Sequence, residues 1–205
     1  MPYRHGGAHY WKKHFASFSR WLHIYLSMVS FGILFFFAVT GLTLNHPDWL
    51  FGDKVSTRHE KGRMDVTWLQ APDATVRRLE IVEQLRRAHR IHGAVGEFRL
   101  EDRQCAITFK GPGYSADVVI NRVGGDYELT ETRLGFVAVI NDLHKGRDSG
   151  HGWSVIIDVS AILMTLVSLS GMILIFFIKR RRVSGLIAAL VGAVVCYLAY
   201  ALMVP

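Results

Sequence analysis

Three long stretches of the sequence carry no charged side chain, and they constrain the fold more than any other feature. They cover residues 21–47, 159–178 and 183–205. A bilayer core about 30 Å thick is crossed by about 20 apolar residues in a helix, whereas a surface helix of a soluble protein carries a polar stripe. The sequence therefore predicts three transmembrane helices. No small-residue cleavage site follows the first stretch, so it is interpreted as a retained span and not as a signal peptide.

The basic residues predict how these helices are oriented. The first 20 residues contain four basic residues and no acidic one, and Lys179–Arg182 form a second basic cluster. Residues 48–133 are balanced, with 14 basic and 14 acidic side chains. We therefore expect a bacterial inner-membrane protein with a cytoplasmic N-terminus and a periplasmic domain. The net charge of +7 comes from the basic anchors, which predicts contact with membrane lipid and argues against nucleic acid as a partner.

The charge and hydropathy patterns divide the chain into seven segments. They are a cytoplasmic tail (1–20), transmembrane helix 1 (21–47), a periplasmic domain (48–133), a re-entry segment (134–152), transmembrane helix 2 (153–178), a basic loop (179–183) and transmembrane helix 3 (184–205). The expected fold class is a membrane protein with three transmembrane α-helices and a small α+β domain inserted between the first and the second.

Local patterns give the expected elements of the domain. It begins with a stretch that we expect to be irregular, and apolar residues at helical spacing then predict a helix near 76–92. Alternating stretches between glycine-rich turns predict three strands and a fourth candidate, at 97–101, 104–110, 115–121 and 127–132. Residues 134–144 predict an amphipathic helix that leads back to the membrane.

The two ends of the chain have patterns of their own. The tail mixes aromatic, basic and histidine side chains, which predicts a short interfacial helix before the first span. The third span has small residues spaced four apart, such as Gly185, Ala189 and Ala193. Small residues let helices approach closely, so this span is expected to pack on a neighbour, either within the chain or in a homo-oligomer.

Histidines at the predicted membrane boundaries are the candidates for chemistry. No nucleophile elbow, phosphate-binding loop, dinucleotide fingerprint or HExxH zinc motif is present. His23 and His46 lie near the two ends of the first span, about 35 Å apart at 1.5 Å per residue, so they cannot share one metal. His144 and His151 flank the start of the second span. A pair such as His46 and His144 could supply the two axial imidazoles of a b-type haem.

Three further side chains belong to this hypothesis. Lys145 and Arg147 follow His144 closely, where haem propionates would emerge. Asp158, about one turn into the second span, is costly in lipid and needs a partner or a polar cavity. It could fix a ligand histidine, carry protons or make a structural hydrogen bond. Histidine is also common near lipid headgroups, so a surface role for each boundary histidine stays open at this point.

Four motifs resemble those of the PepSY-associated transmembrane family. They are Arg20-Trp21-Leu22-His23, the stretch AVTGLTLNH at 38–46, the stretch DLHKGRDSG at 142–150, which is similar to the LHxGR signature of that family, and Leu169-Ser170-Gly171. The likeness covers nearly the whole chain up to Arg182, and the α+β domain is compatible with a PepSY domain. The resemblance implies electron transfer at or across the inner membrane, since larger relatives are similar to haem-containing reductases of ferric siderophores.

The resemblance also implies ligands for one or two b haems. By position these are His23, His46 and His144. His151 is a further candidate only because of its place beside the start of the second span. Larger members have four or more spans and enough histidines for two haems, whereas this chain has three spans. A haem at His23 would need His14, or a second protomer, for its other ligand. If the only haem lies at the outer end of the first span, the electron donor has to be a quinol or a periplasmic protein. A cytoplasmic flavin donor needs both haems.

Three functions compete at this point. The first is a b-haem membrane protein that passes electrons to a ferric siderophore or to a periplasmic redox partner. The second is a non-enzymatic membrane anchor whose PepSY-like domain binds a periplasmic protein, with an exposed sheet edge as one means; an anchor does not need the boundary histidines. The third is a small transporter, which three spans and a single strongly polar intramembrane group, Asp158, disfavour. We expect the first.

Overall fold

The computed structural model describes residues 6–46, 55–69 and 77–205. The predicted boundary between the first span and the domain, at residues 47 and 48, lies outside the described residues. The elements in chain order are α1 (Gly6–Asn45), β1 (Ser56–Arg63), a 3-10 helix (Val66–Trp68), α2 (Arg78–His89), β2 (Ala94–Leu100), β3 (Gln104–Gly111), β4 (Tyr114–Asn121), β5 (Asp126–Arg133), α3 (Phe136–Lys145), α4 (Gly150–Phe177) and α5 (Arg182–Met203).

The chain divides into two units. The first consists of Met1–Phe35 and Asp158–Pro205, and the second of Phe36–Ile157. The first unit therefore contains most of α1, most of α4 and the whole of α5. The second contains the sheet, α2, α3 and the adjoining ends of α1 and α4.

Among the residues that the structure describes, three helices are long and apolar enough to cross a membrane, as the sequence predicts. They are Lys13–Asn45 with 33 residues, Gly150–Phe177 with 28 and Arg182–Met203 with 22. The first of them is part of a single helix of 40 residues, so the tail is not a separate interfacial helix as expected. No proline interrupts residues 6–45, and the helix therefore continues without a break. At 1.5 Å per residue α1 is about 60 Å long, roughly twice the thickness of a bilayer core.

In the described part of the chain the sheet has five antiparallel strands in the order β1-β5-β4-β3-β2. Strands β2 to β5 correspond to the four predicted ones. Strand β1, by contrast, occupies the stretch that was expected to be irregular. Its sequence, STRHEKGR, has no apolar alternation, yet it pairs with β5 from Ser56 opposite Arg133 to Arg63 opposite Asp126. Charged side chains are typical of an edge strand, because they discourage pairing with another chain.

The core of this sheet domain (residues 56–133) lies between α2 and one face of the sheet. Ile81 and Leu85 of α2 are completely buried there, as are Ile107 and Phe109 of β3. Alternate residues of a strand point to opposite faces, and Thr108 on the other face bonds Asp117 at the surface. Helix α2 ends at His89, because Arg90 takes the left-handed conformation with a φ of 54°.

The turn between β3 and β4 fixes the position of α3. The Leu134 N–H donates to the Gly113 carbonyl over 2.8 Å, and the Gly113 N–H donates to Asp142 Oδ2 over 2.9 Å. Gly113 has a φ of +63°, and a Cβ there would come within 2.5 Å of Val139 Cγ2. Only glycine meets both requirements without strain, so this turn lies directly against α3.

Candidate functional site

His144, in the last turn of α3, contacts α1 through a hydroxyl group. Its Nδ1 lies 2.6 Å from Thr40 Oγ1. The same hydroxyl donates to the Phe36 carbonyl over 2.7 Å. Thr40 is only 2% exposed, so this hydrogen bond is shielded from competing water. We refer to this arrangement as the His144 site.

The face of α1 beside Thr40 is shaped to receive the imidazole. The Phe37 ring meets the His144 ring edge-on, with 5.1 Å between ring centroids. Gly41 presents no side chain, and a Cβ there would lie 3.6 Å from His144 Cε1. The imidazole therefore lies against the helix backbone with an aromatic ring at its side.

Three contacts hold the C-terminal half of α3 in place around His144. Gly146 ends the helix in a left-handed conformation, with its N–H on the Asp142 and Leu143 carbonyls. Trp153 Nε1 donates to the Leu143 carbonyl over 2.8 Å, and Thr43 Oγ1 lies 2.7 Å from Asn141 Oδ1. His144 is thus placed by contacts on both sides of it in the chain.

His23 makes the same kind of contact in the first unit. Its Nδ1 lies 2.8 Å from Ser170 Oγ on α4, and that hydroxyl donates to the Val167 carbonyl over 2.8 Å. Ser170 is 6% exposed. A Cβ on Gly171 would lie 3.1 Å from His23 Cε1, which is tighter than an ordinary contact. This arrangement is the His23 site.

The other predicted histidines lie on other faces. His46 follows the last residue of α1, with its N–H on the Leu42 carbonyl, six residues beyond Thr40. Six residues rotate a position by about 240° around a helix, so His46 is on a different face of α1 from Thr40. His14 lies against Tyr10, with 4.1 Å between ring centroids. It precedes His23 by nine residues, about two and a half turns, which puts it on the opposite face.

The charged candidates and His151 are all exposed. Lys145 and Arg147 are exposed on either side of Gly146, and His151 is exposed in the first turn of α4. Asp158 is also exposed, on the same helix as the buried Ser160 and Ser170. The contacts described for His23 and His144 are made with hydroxyl groups and not with Asp158.

The hydroxyl partners are the functional residues that sequence reasoning missed. Thr40-Gly41 and Ser170-Gly171 belong to motifs that resemble the family, but nothing assigned either pair to a histidine. Burial gives a signal that can find them, because the buried polar residues of α1 and α4, among those whose burial is described, are all hydroxyl-bearing: Ser19, Ser30, Thr40, Thr43, Ser160 and Ser170. A hydroxyl within an apolar helix indicates the side that faces another helix.

The donor set limits which metal groups the described residues could hold. Within residues 6–46, 55–69 and 77–205, no group of three or more His, Cys, Asp or Glu side chains could hold a bare metal ion. Burial raises the pKa of the Cys105 thiol to about 11, so a thiolate ligand is not available there at neutral pH. A haem already supplies four nitrogen ligands and needs only axial ones. One imidazole at each site fits one axial position.

A second polar cluster lies on the core side of β1 and β5 in the sheet domain. Glu131 is 3% exposed and accepts hydrogen bonds from Arg133 Nη2 over 2.7 Å and Nε over 3.1 Å. Burial raises the pKa of this carboxyl, but hydrogen bonds from Arg133 and Tyr114 outweigh burial and lower the pKa below its usual value. The carboxylate is therefore charged and paired.

His89 connects this cluster to α2. Its Nδ1 contacts Glu60, and its Nε2 lies 2.7 Å from the Tyr127 hydroxyl. The hydrogen bond with His89 lowers the pKa of Glu60, and Arg58 adds to that effect. Both ring nitrogens of His89 are used within the domain, so this histidine has a structural role.

A comparison with known families adds one finding to this geometry. The profile of the PepSY_TM-like family matches residues 17–205, which include both histidine sites, the sheet domain, α4, α5 and α1 from residue 17 onward. No curated protein and no solved structure matches the chain.

Proposed function

This chain belongs to the PepSY_TM-like family, and we propose that it is a b-haem electron-transfer protein of the bacterial inner membrane. One observation carries the proposal. His23 and His144 each bring Nδ1 to a buried hydroxyl, at 2.8 Å and 2.6 Å. Histidines that ligate metals typically use one ring nitrogen in this way and the other for the metal.

The proposed orientation has the N-terminus in the cytoplasm and the sheet domain in the periplasm. Lys13, Arg20 and the Lys179–Arg182 cluster supply the positive charge that favours the cytoplasmic side. In this orientation His23 is near the cytoplasmic side of the membrane, and His46 and His144 are near the periplasmic side. Each histidine site can therefore exchange electrons with partners on one side of the membrane.

A six-coordinate b haem needs a second imidazole. At the His144 site we assign it to His46, which follows the last residue of α1 in the same unit. His46 lies on a different face of α1 from Thr40, so it has to reach the iron from beyond the end of the helix. At the His23 site the two sources are His14 and a second copy of the chain. His14 is on the opposite face of α1, so we favour the second copy. Helix α5, whose residues are almost all exposed, then provides the surface for a homo-oligomer.

The side chains around His144 bind and orient the haem and exclude water. When bound, the haem supplies one-electron redox chemistry. The Thr40 hydroxyl fixes the imidazole, and Phe37 lies against the edge of its ring. Lys145 and Arg147 are exposed next to the histidine and can neutralise the two propionates. His151 is the alternative ligand if His46 is not used.

The side of the membrane on which each histidine site lies limits which electron donors and acceptors can reach it. A quinol can donate from within the bilayer, and a flavin donor can donate in the cytoplasm if both sites hold haem. On the periplasmic side, one electron reduces one Fe(III) ion of a ferric siderophore to Fe(II), or is passed to a periplasmic redox protein. Ferric siderophore reduction is our preferred reaction.

The proposal is tested by haem content and visible spectra. The full chain is purified in detergent from cells supplied with haem precursor, and a pyridine haemochrome assay is combined with oxidised and dithionite-reduced spectra. We expect b-type bands in the wild type, most of the haem of the periplasmic site lost in His144→Ala and His46→Ala, and the haem of the cytoplasmic site lost in His23→Ala. His59→Ala is the matched control, since His59 bonds Thr130 on the exposed face of the sheet. A colourless wild type, or full haem content in both His23→Ala and His144→Ala, contradicts the proposal.

The second candidate function is binding of a periplasmic protein by the sheet domain. The open edges β1 and β2 favour it, because an extended segment can add to a sheet edge. Two features oppose it: β1 is highly charged, and β2 has a register irregularity between Val95 and Glu97, and both discourage strand addition. Haem-free protein that retains a bound periplasmic partner after purification would favour this function over the first.

A further inference from the structure

We propose that Thr40 and Ser170 are positioning residues that fix His144 and His23 in the tautomer with the proton on Nδ1, so that Nε2 carries the lone pair at both sites. The tautomer follows from the hydrogen bonds of the protein alone. Only the use of Nε2 as an iron ligand rests on the function proposed above.

Ser170 has a single hydroxyl proton, and the position of this proton decides the tautomer of His23. Its Oγ lies 2.8 Å from the Val167 carbonyl oxygen, and a carbonyl can only accept. The hydroxyl proton therefore lies between these two oxygens. Ser170 Oγ is then an acceptor toward His23 Nδ1, 2.8 Å away, and the proton of that hydrogen bond belongs to the imidazole.

The same reasoning applies to Thr40. Its Oγ1 donates to the Phe36 carbonyl over 2.7 Å, and the Phe37 carbonyl is farther away at 3.4 Å. The contact of 2.6 Å with His144 Nδ1 therefore needs its proton from the imidazole. A neutral imidazole with the proton on Nδ1 has its lone pair on Nε2, which is the atom that can bind a metal.

The opposite tautomer is disfavoured at both sites. With the proton on Nε2, the Nδ1 lone pair would face a hydroxyl oxygen whose proton is already used. The hydroxyl would then have to leave its backbone carbonyl. Both hydroxyls are buried, and water does not replace a lost hydrogen bond there. The two sites have the same chemistry, although α1 has a different part in each. Helix α1 supplies the hydroxyl at the His144 site and the histidine at the His23 site.

The glycine after the hydroxyl adds to the positioning at the His23 site. Gly171 leaves room for the Cε1 edge of the imidazole, since a Cβ there would lie 3.1 Å from it, closer than an ordinary contact. At the His144 site the corresponding distance for Gly41 is 3.6 Å, an ordinary contact, so the hydrogen bond alone positions that ring from this side.

The variants for the test remove each hydroxyl while keeping the size of the side chain. They are Thr40→Val and Ser170→Ala, with Thr40→Ser and Ser170→Thr as rescues. Ser27→Ala is the control on α1, because the Ser27 hydroxyl donates to the Ile24 carbonyl over 2.9 Å and not to an imidazole. Ser168→Ala is the control on α4, because that hydroxyl bonds only the Met164 carbonyl.

The first measurement uses haem-free protein and is independent of the proposed function. Nitrogen NMR of histidine-labelled full chain distinguishes the two tautomers, and His23→Gln and His144→Gln assign the signals. We expect Nδ1-protonated signals for both residues in the wild type, in the controls and in the rescues. Thr40→Val and Ser170→Ala should each give a mixture of tautomers at one histidine. Nε2-protonated signals in the wild type, or no response to either variant, overturn the inference.

The second measurement uses haem-loaded protein. Loss of the hydrogen bond on Nδ1 lowers the basicity of the ligand and weakens metal binding by about 10- to 100-fold, and it raises the reduction potential because the ferric form loses more stabilisation. If the wild type binds no haem but has the Nδ1-protonated tautomer, the proposed function fails and the inference stands. If haem is bound and its affinity and potential are the same in Thr40→Val, in Ser27→Ala and in the wild type, the inference fails and the function stands.

Discussion

The sheet domain and the membrane helices bury opposite kinds of side chain. In the sheet domain the completely buried positions are apolar, among them Ile81, Leu85, Ile107 and Phe109. In α1 and α4 the most buried positions carry hydroxyl groups, while large apolar residues such as Leu34 and Phe35 are exposed. A rule that places apolar residues inside therefore describes one region and fails in the other.

The difference follows from the solvent around each region. Water drives apolar side chains into the interior of the sheet domain. Lipid tails are as apolar as leucine, so helices in a membrane associate through close packing and hydrogen bonds between them. A serine or threonine in an apolar helix consequently indicates a contact face, and here two such contacts hold the candidate imidazoles.

The largest expected effect comes from a substitution that leaves a cavity in the apolar core of the sheet domain. Phe109→Ala should lower the free energy of unfolding of that domain by about 3–5 kcal/mol, because it leaves a cavity that the surrounding residues fill only in part. Urea unfolding of the full chain in detergent, followed by hydrogen exchange of the sheet amides, measures the loss. Leu34→Ala in α1 should change little, since that side chain faces the detergent.

The matched control in the sheet domain is Val119→Ala. Val119 is 46% exposed on the opposite face of the sheet, and surface changes of this kind usually alter stability by about 0.5 kcal/mol or less. Equal losses in Phe109→Ala and Val119→Ala would mean that the α2-facing side is not the core.

An intermediate effect concerns the buried carboxylate of the sheet domain. The pKa of Glu131 is lower in the folded state than its usual value of 4.5. Its stabilising contribution is therefore complete above the unfolded pKa and is lost as pH falls through the folded pKa. Unfolding midpoints between pH 7 and pH 3 should fall with acidification. Glu131→Gln should cost about 1–3 kcal/mol at pH 7 and make that decline shallower.

Glu128→Gln serves as the control for this effect. Glu128 pairs with Lys61 at the surface, and exposed pairs contribute about 0–1 kcal/mol. A decline with pH that is as steep in Glu131→Gln as in the wild type would assign the acid sensitivity to other carboxylates, such as Glu60.

The smallest expected effect distinguishes the two glycines of the histidine sites. Gly171→Ala places a Cβ at 3.1 Å from His23 Cε1, whereas Gly41→Ala places one at 3.6 Å from His144 Cε1. We expect the first change to shift the imidazole by a few tenths of an ångström and to perturb the nitrogen NMR signal of His23. The second should leave the His144 signal unchanged. The reverse order would show that the ring contacts differ from those described here.

The elements that follow hydrophobic periodicity could be predicted from the sequence. The three apolar helices, α2 and strands β2 to β5 all have patterns that water or lipid imposes on them. Strand β1 could not be predicted, because its pairing with β5 is a long-range contact and its own residues are charged. The continuity of α1 through the tail was also missed, since aromatic and basic residues are compatible with an interfacial helix and with an extended one.

The candidate site was only half predictable. Spacing and charge placed His23 and His144 near the membrane boundaries, and the family resemblance is confirmed by the match over residues 17–205. The hydroxyl partners Ser170 and Thr40 are 147 and 104 residues away from their histidines in the chain. Only the packing of the helices brings such distant residues together. The haem, its electron donor and its electron acceptor stay predictions.

The short helix α3 links the sheet to an imidazole mechanically. On one side Asp142 accepts from Gly113 at the tip of the β3–β4 hairpin, and two residues later His144 contacts Thr40. A helix of ten residues transmits displacement with little bending. Any force that moves the hairpin tip must therefore break the Asp142 hydrogen bond or pull on the His144 ring. A distortion of the sheet would then change the position of the His144 imidazole.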